Sequence, residues 1–130
     1  MGVAGFSSIA PALTPAPFKV HSEQKQGVFV ILVEGELDMN TAAELERHLE
    51  APLAASDSVL LIDLSRCEFI DSTGIALIVR SWQTLDGDGN GQFALCGIGH
   101  QVKRVLDITG LEETIPTHPN REQALERLRS

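Results

Sequence analysis

The sequence predicts one α/β domain with a mixed β-sheet of about five strands and about four helices. Three observations lead there. The apolar runs at 28–33 and 59–64 have the length of buried strands and are far too short to cross a membrane. Leu45, Leu49 and Leu53, and later Ile75, Leu77, Ile78 and Trp82, recur instead at helical spacing. Turn-forming residues separate the two kinds of segment along the chain, in the order β-β-α-β-α-β-α-β-α. Strands that alternate with helices imply crossovers and a largely parallel sheet, made mixed here by an opening hairpin. At 130 residues the chain suits one domain with a real core.

The elements follow in order. Phe18, Val20 and Ser22 alternate with Lys19, His21 and Glu23, the pattern of a half-buried strand. Gln24 to Gly27 is a turn, and Val28 to Val33 is a deeper strand ended by Gly35. Asn40 or Thr41 can cap the first helix, and Thr41 as N-cap would place Glu44 at N3 and complete a capping box. Pro52 either kinks that helix or starts a last short turn, because it has no N–H to give residue 48. Val59 to Leu64 is the third strand. The second helix starts within Asp71-Ser72-Thr73-Gly74, with Ser72 or Thr73 as its cap.

The run Asp86-Gly87-Asp88-Gly89-Asn90-Gly91 closes that helix in a tight turn. Asp86, Asp88 and Asn90 sit at positions 1, 3 and 5 of a calcium loop, but the apolar Phe93, Ala94 and Leu95 follow Gly91, and Gly97 stands where the glutamate of position 12 belongs. Phe93 to Cys96 is the fourth strand. A third helix opens after Gly97 and Gly99, turns Val102, Val105 and Leu106 inward, and ends at Gly110 as a C′ residue. Leu111 to Thr117 holds a brief edge strand, stopped by Pro116 and Pro119. Asn120 caps the last helix, with Gln123 at N3 and Ala124, Leu125 and Leu128 on one face.

Composition removes several classes of function. A formal net charge of −8 disfavours nucleic acid and anionic membrane, which require a basic surface. There is no tyrosine and one tryptophan, so a stacking platform for single strands is missing. Residues 1–17 contain Pro11, Pro15 and Pro17 and no basic start, so they read as a flexible tail rather than a secretory signal. Phe6 occupies the Ser or Thr position of a myristoylation motif. The expected location is the cytoplasm. Cys67 and Cys96 are expected as reduced, semi-buried thiols, with a redox pair as the alternative. Between residues 34 and 50, Glu34, Glu36, Asp38, Glu44, Glu46 and Glu50 face Arg47 alone, either as a solvated face or as a dock for a basic partner.

The chemistry concentrates at Asp71-Ser72-Thr73-Gly74. A helix start offers free N–H groups and the positive end of a dipole, so it receives oxygens well. A hydrolase nucleophile would want Gly-x-Ser-x-Gly, but Ile70 replaces the first glycine. His100 is the one histidine placed to approach Ser72, and a triad with Asp71 is a weak reading. Asp63, within a strand end, reads as a satisfied structural acid. No glycine-rich loop with lysine is present to hold nucleotide phosphates, and no His/Cys cluster has metal spacing. No catalytic residue, cofactor or metal is therefore expected. Ser72 can instead accept a phosphoryl group, whose charge beside Asp71 would oppose docking.

Four blocks now carry a resemblance: Gly35-Glu36-Leu37-Asp38 with Thr41-Ala42; Ile62-Asp63-Leu64-Ser65; Phe69-Ile70-Asp71-Ser72-Thr73-Gly74-Ile75; and Val105-Leu106-Asp107-Ile108-Thr109-Gly110-Leu111. In this order and spacing, from Phe18 to Leu128, the chain resembles the anti-sigma factor antagonists, which share the STAS domain. The resemblance implies a STAS-type domain over 18–130 behind the tail at 1–17. It implies Ser72 as the phosphoacceptor, Asp38 and Asp71 as acids around the switch, and Thr73 and Gly74 as its helix start. It also implies partners: an anti-sigma factor that is a serine-protein kinase, and a phosphatase that reverses it. The alternative is a STAS scaffold in another signalling or transport-associated complex, without phosphoregulation.

Overall fold

The computed structural model describes residues 17–129; the expected tail, apart from Pro17, and the myristoylation positions lie outside them. The strands are β1 (Lys19–Lys25), β2 (Val28–Leu37), β3 (Val59–Ile70), β4 (Gln92–Cys96) and β5 (Thr117–His118). The helices are α1 (Ala42–Ala54), α2 (Ser72–Trp82), α3 (His100–Thr109) and α4 (Arg121–Arg129). The sheet runs β1-β2-β3-β4-β5, antiparallel between β1 and β2 and parallel in every other pair. This is the expected mixed sheet of five strands and four helices, in the expected order. Parallel strands joined by helices bring the C-terminal ends of β2, β3 and β4 to one edge.

The two faces of the sheet are covered unequally. On one face α1, α2 and α3 bury Leu45, Leu49, Ile75, Ile78, Val102 and Leu106 against odd-numbered β2 residues such as Ile31 and Val33. On the other, α4 sets Ala124, Leu125 and Leu128 against Val28, Val30, Leu61, Ala94 and Cys96. The central strand β3 feeds both clusters, which explains why its first half is a continuous apolar run.

Several local expectations change. β2 does not end at Gly35 but continues to Leu37, with Gly35 at φ 97° where the register to β3 shifts. A glycine in a strand pattern here marks a bulge, not an end. β3 likewise runs beyond Leu64 to Ile70, across Ser65, Arg66 and Glu68. Gln26 and Gly27 form a two-residue turn with positive φ at both positions, shorter than the turn expected from Gln24.

The capping box at Thr41 is not formed. Thr41 sits at the N-cap position, but its side chain caps nothing; its Oγ1 donates to Glu36 O (2.7 Å) and accepts from Asp38 N (2.9 Å). Pro52 lies buried within the last turn of a single helix. After α2, residues Gln83–Gly87 form a π-helical turn before the glycine-rich segment. The edge strand is only Thr117–His118, and Leu111–Glu113 is a 3-10 turn instead. Asn120 does cap α4, its Oδ1 accepting from Gln123 N (2.9 Å), and Gly110 takes the left-handed conformation at the end of α3.

The two thiols do not pair. Cys67 packs in the cluster under α1–α3 and Cys96 in the cluster under α4, and both are free and buried. Burial pushes the Cys67 thiol up to about 11 and Cys96 up to about 12. Because the thiolate is the reactive form, a thiol reagent at pH 8 should modify the native protein no faster than it opens, and the unfolded chain at once. Immediate native reaction of both thiols would count against this burial. Both folded values lie above the ordinary thiol near 9.0, so their contribution to stability is whole below that pH. It is lost as pH rises toward 11 and 12.

Candidate functional site

The site is built where β2 and β3 end side by side. Leu37 lies opposite Ile70 in the register, and Asp71 N donates to Leu37 O (3.2 Å), so the chain leaves both strands at one level. Asp71 then ends the strand and starts the helix. Its Oδ1 accepts from Thr73 N (2.9 Å) and Gly74 N (3.1 Å), and its Oδ2 accepts from Met39 N (3.2 Å). The cap of α2 is therefore Asp71, not Ser72 or Thr73. An aspartate at N-cap satisfies two of the free amides and places a negative charge at the positive helix end.

Ser72 is consequently free for another role. It is the first helical residue, it is exposed, and no hydrogen bond among the described residues engages its Oγ. Thr73 is also exposed. Gly74 is buried against the strand ends: a Cβ there would stand 2.8 Å from both Ile70 Cγ1 and Leu37 Cγ, and 3.0 Å from Leu37 O. The helix can approach the sheet this closely only without a side chain at Gly74. Gly74→Ala should lower stability by about 1–3 kcal/mol, read as a fall in the urea midpoint. An unchanged midpoint would mean that the strand ends give way.

The β2–α1 connection is fixed from several sides. Asp38 Oδ1 accepts from Asn40 N (2.9 Å), and Asp38 O accepts from Thr41 N (3.1 Å) and Ala42 N (2.9 Å). Together with the Asp71–Met39 bond, these hold Asp38 and Met39 next to the start of α2. The structure thus brings Asp38, Asp71, Ser72, Thr73 and Gly74 into one junction. His100 begins α3, exposed. Among the described residues no hydrogen bond joins His100 to Asp71 or Ser72, and the Asp71 carboxylate serves three backbone amides instead.

Three residues escaped the reading of the sequence. Gln101, in the first turn of α3, accepts from Ile70 N through Oε1 (3.0 Å) and ties that helix to the end of β3. Its only signal was position, a polar residue at a strand-to-helix junction of the same sheet edge. Met39 and Phe69 are exposed apolar residues at this edge. Met39 had a signal in the sequence, an apolar residue between Asp38 and Asn40. The acidic run is less uniform than its sequence suggests. Glu34 bonds His21 (3.2 Å) and Arg66 (2.8 Å), partners that hold its carboxyl below the usual range, and Glu46 meets Arg80 (3.4 Å).

The junction is thus a capped helix that presents a serine unbonded among the described residues, beside a pinned loop. The chain belongs to the STAS domain family, among the anti-sigma factor antagonists; the STAS domain model matches residues 19–124. An anti-sigma F factor antagonist of Paenibacillus polymyxa is 26% identical over 111 residues, 85% of this chain and 94% of that protein. An anti-sigma-B factor antagonist of Listeria monocytogenes is 33% identical over 85 residues, 65% of this chain and 74% of that protein. The crystal structure of an anti-sigma factor antagonist from Mycobacterium paratuberculosis superposes with a TM-score of 0.80 at 35% identity, covering 90% of this chain and all of that one.

Proposed function

We propose that the protein is a partner switch. Unphosphorylated, it binds a cognate anti-sigma factor that is also a serine kinase and so frees a sigma factor. Phosphorylation of Ser72 ends that binding, and a phosphatase restores it. The observation that carries this reading is the division of labour at the junction: Asp71 holds the helix start, and the exposed Ser72 Oγ is bound to no other described residue. A hydroxyl needed as a cap could not be modified without loosening α2. This one can.

The electrostatics support an off state. A phosphoryl group adds about −2 charge next to the Asp71 carboxylate. Among the described residues, neither Asp71 nor Asp38 has an ion-pair partner to offset that charge. Closing an interface over it would strip water from an uncompensated dianion, which is strongly unfavourable. Asp38, Thr73 and Gly74 act as supports of the switch, the first through its loop and the others through the helix start. The protein works by binding, in the cytoplasm, without direct contact to nucleic acid or membrane; no helix of the described residues is long and apolar enough to cross one. Residues 18–130 form the working domain and 1–17 an appendage.

The test is to incubate the protein with each anti-sigma-type serine kinase of its own organism and ATP, then map phosphate by mass spectrometry. Modification at Ser72 by a kinase that also binds the unmodified protein is the expected result. If none binds or modifies it, the switch fails and the scaffold reading of the STAS domain takes its place.

A further inference from the structure

We propose that Met39 and Phe69 are the apolar anchors of the surface that receives the anti-sigma factor, and that the partner meets them with an apolar recess rimmed by basic residues. This rests on the switch reading of Ser72 and goes beyond it by naming what selects the partner. Only three large apolar residues among the described ones are exposed: Met39 at 75%, Phe69 at 39% and Ile108 at 81%. Two of the three stand at the sheet edge that carries Ser72.

The register explains their placement. Phe69 lies opposite Glu36 and Ile70 opposite Leu37, so Phe69 and Met39 flank the Asp71 junction from the β3 and β2 sides. Met39 is exposed yet held, because its amide is bonded to Asp71 Oδ2 and its neighbours Asp38 and Asn40 are bonded to each other. Because the backbone is already pinned, docking has only the side chain's rotamers to order and not the loop as well, which favours affinity. Methionine adapts to an irregular recess, and an aromatic ring supplies a large contact area.

Charge identifies the rim. Glu36, Asp38 and Glu68 are the immediate neighbours of these two residues in register or sequence, and none of them forms an ion pair among the described residues. Glu34, one step back along β2, is by contrast already paired with His21 and Arg66. An apolar centre with an uncompensated acidic border fits a basic partner face. It also places Ser72 at the margin of the area that must lose its water, so the phosphoryl group acts by resisting desolvation rather than by repelling the rim.

The experiment measures binding of the full chain to the kinase captured by the unmodified protein. Met39→Ala/Phe69→Ala should weaken binding by about 30-fold or more. Ile108→Ala should stay within about twofold, because Ile108 lies roughly 10 Å along α3 from Gln101 and the site edge. Wild-type affinity should also fall steeply with added salt. Thermal melting checks that the double variant, altered only at exposed positions, is folded. Binding by the folded double variant within about twofold of wild type overturns the proposal while the switch reading stands, as does an equal loss in Ile108→Ala. Salt-independent binding overturns the basic rim. A wild-type protein that captures no kinase overturns both readings together.

Discussion

Ser72→Asp is expected to lose about 2–4 kcal/mol of partner binding, whereas Ser72→Ala binds like the wild type and cannot be phosphorylated. The asymmetry follows from the junction. Removing the Ser72 hydroxyl breaks no hydrogen bond in the structure, so alanine leaves the helix start and the Met39 loop as they are. Aspartate sets a second carboxylate beside one whose oxygens already serve three amides. It carries only half the charge of a phosphoryl group, so its effect is a lower bound on that of the modification. Titration calorimetry of both variants against the same kinase decides the matter. Equal binding by the two would remove charge as the cause.

The largest effect on stability is expected at the far side of the sheet, from Arg121→Ala. Arg121 heads α4 and reaches Asp63 Oδ2 through Nη2 (3.1 Å) and Glu23 Oε2 through Nη1 (2.9 Å). The Asp63 side chain is only 9% exposed, and its other oxygen accepts from Ser65 N (2.9 Å). Deleting the guanidinium strands a buried carboxylate. Breaking a fully buried pair costs roughly 3–5 kcal/mol, but Arg121 is 29% exposed and water can partly replace it. About 2–3 kcal/mol is the expected loss, measured by chemical denaturation. Glu23→Gln, at a half-exposed position, should cost under about 0.5 kcal/mol. Combining Arg121→Ala with Asp63→Asn should recover part of the loss, because no buried charge remains. Strictly additive costs would contradict the coupling.

Asp63 also shows what the sequence could and could not disclose. Its role as a satisfied acid was legible, since a carboxylate inside an apolar strand must have a partner. The partner was not, because Arg121 lies 58 residues away and only the docking of α4 brings them together. The order of elements was legible for the same reason that Val28–Val33 and Leu45–Leu49 differ: period and turn chemistry are local. The ends of β2 and β3 were not. Gly35 and the polar stretch Ser65-Arg66 look like stops, and they are bulges tolerated because the neighbouring strand continues the ladder. At the site, the tetrapeptide was visible while its hydrogen bonds were not. Ser72, Thr73 and Asp71 are all good caps, and the bonds from Thr73 N and Gly74 N to Asp71 Oδ1 are what assign the cap to Asp71 and leave the serine open.

The strand order has a consequence for how the chain is made. Every strand pairs with its neighbour in sequence, so a chain leaving the ribosome can lay each new strand on an edge that already exists. The exception comes last. Until residues 121–128 emerge, Val30, Leu61, Ala94 and Cys96 form an apolar face with nothing over it. The contact that fastens the cover joins Arg121 to Asp63 across 58 residues of chain. Synthesis halted before α4 would therefore leave a nearly complete sheet with one sticky side, a product for chaperones and proteases to clear.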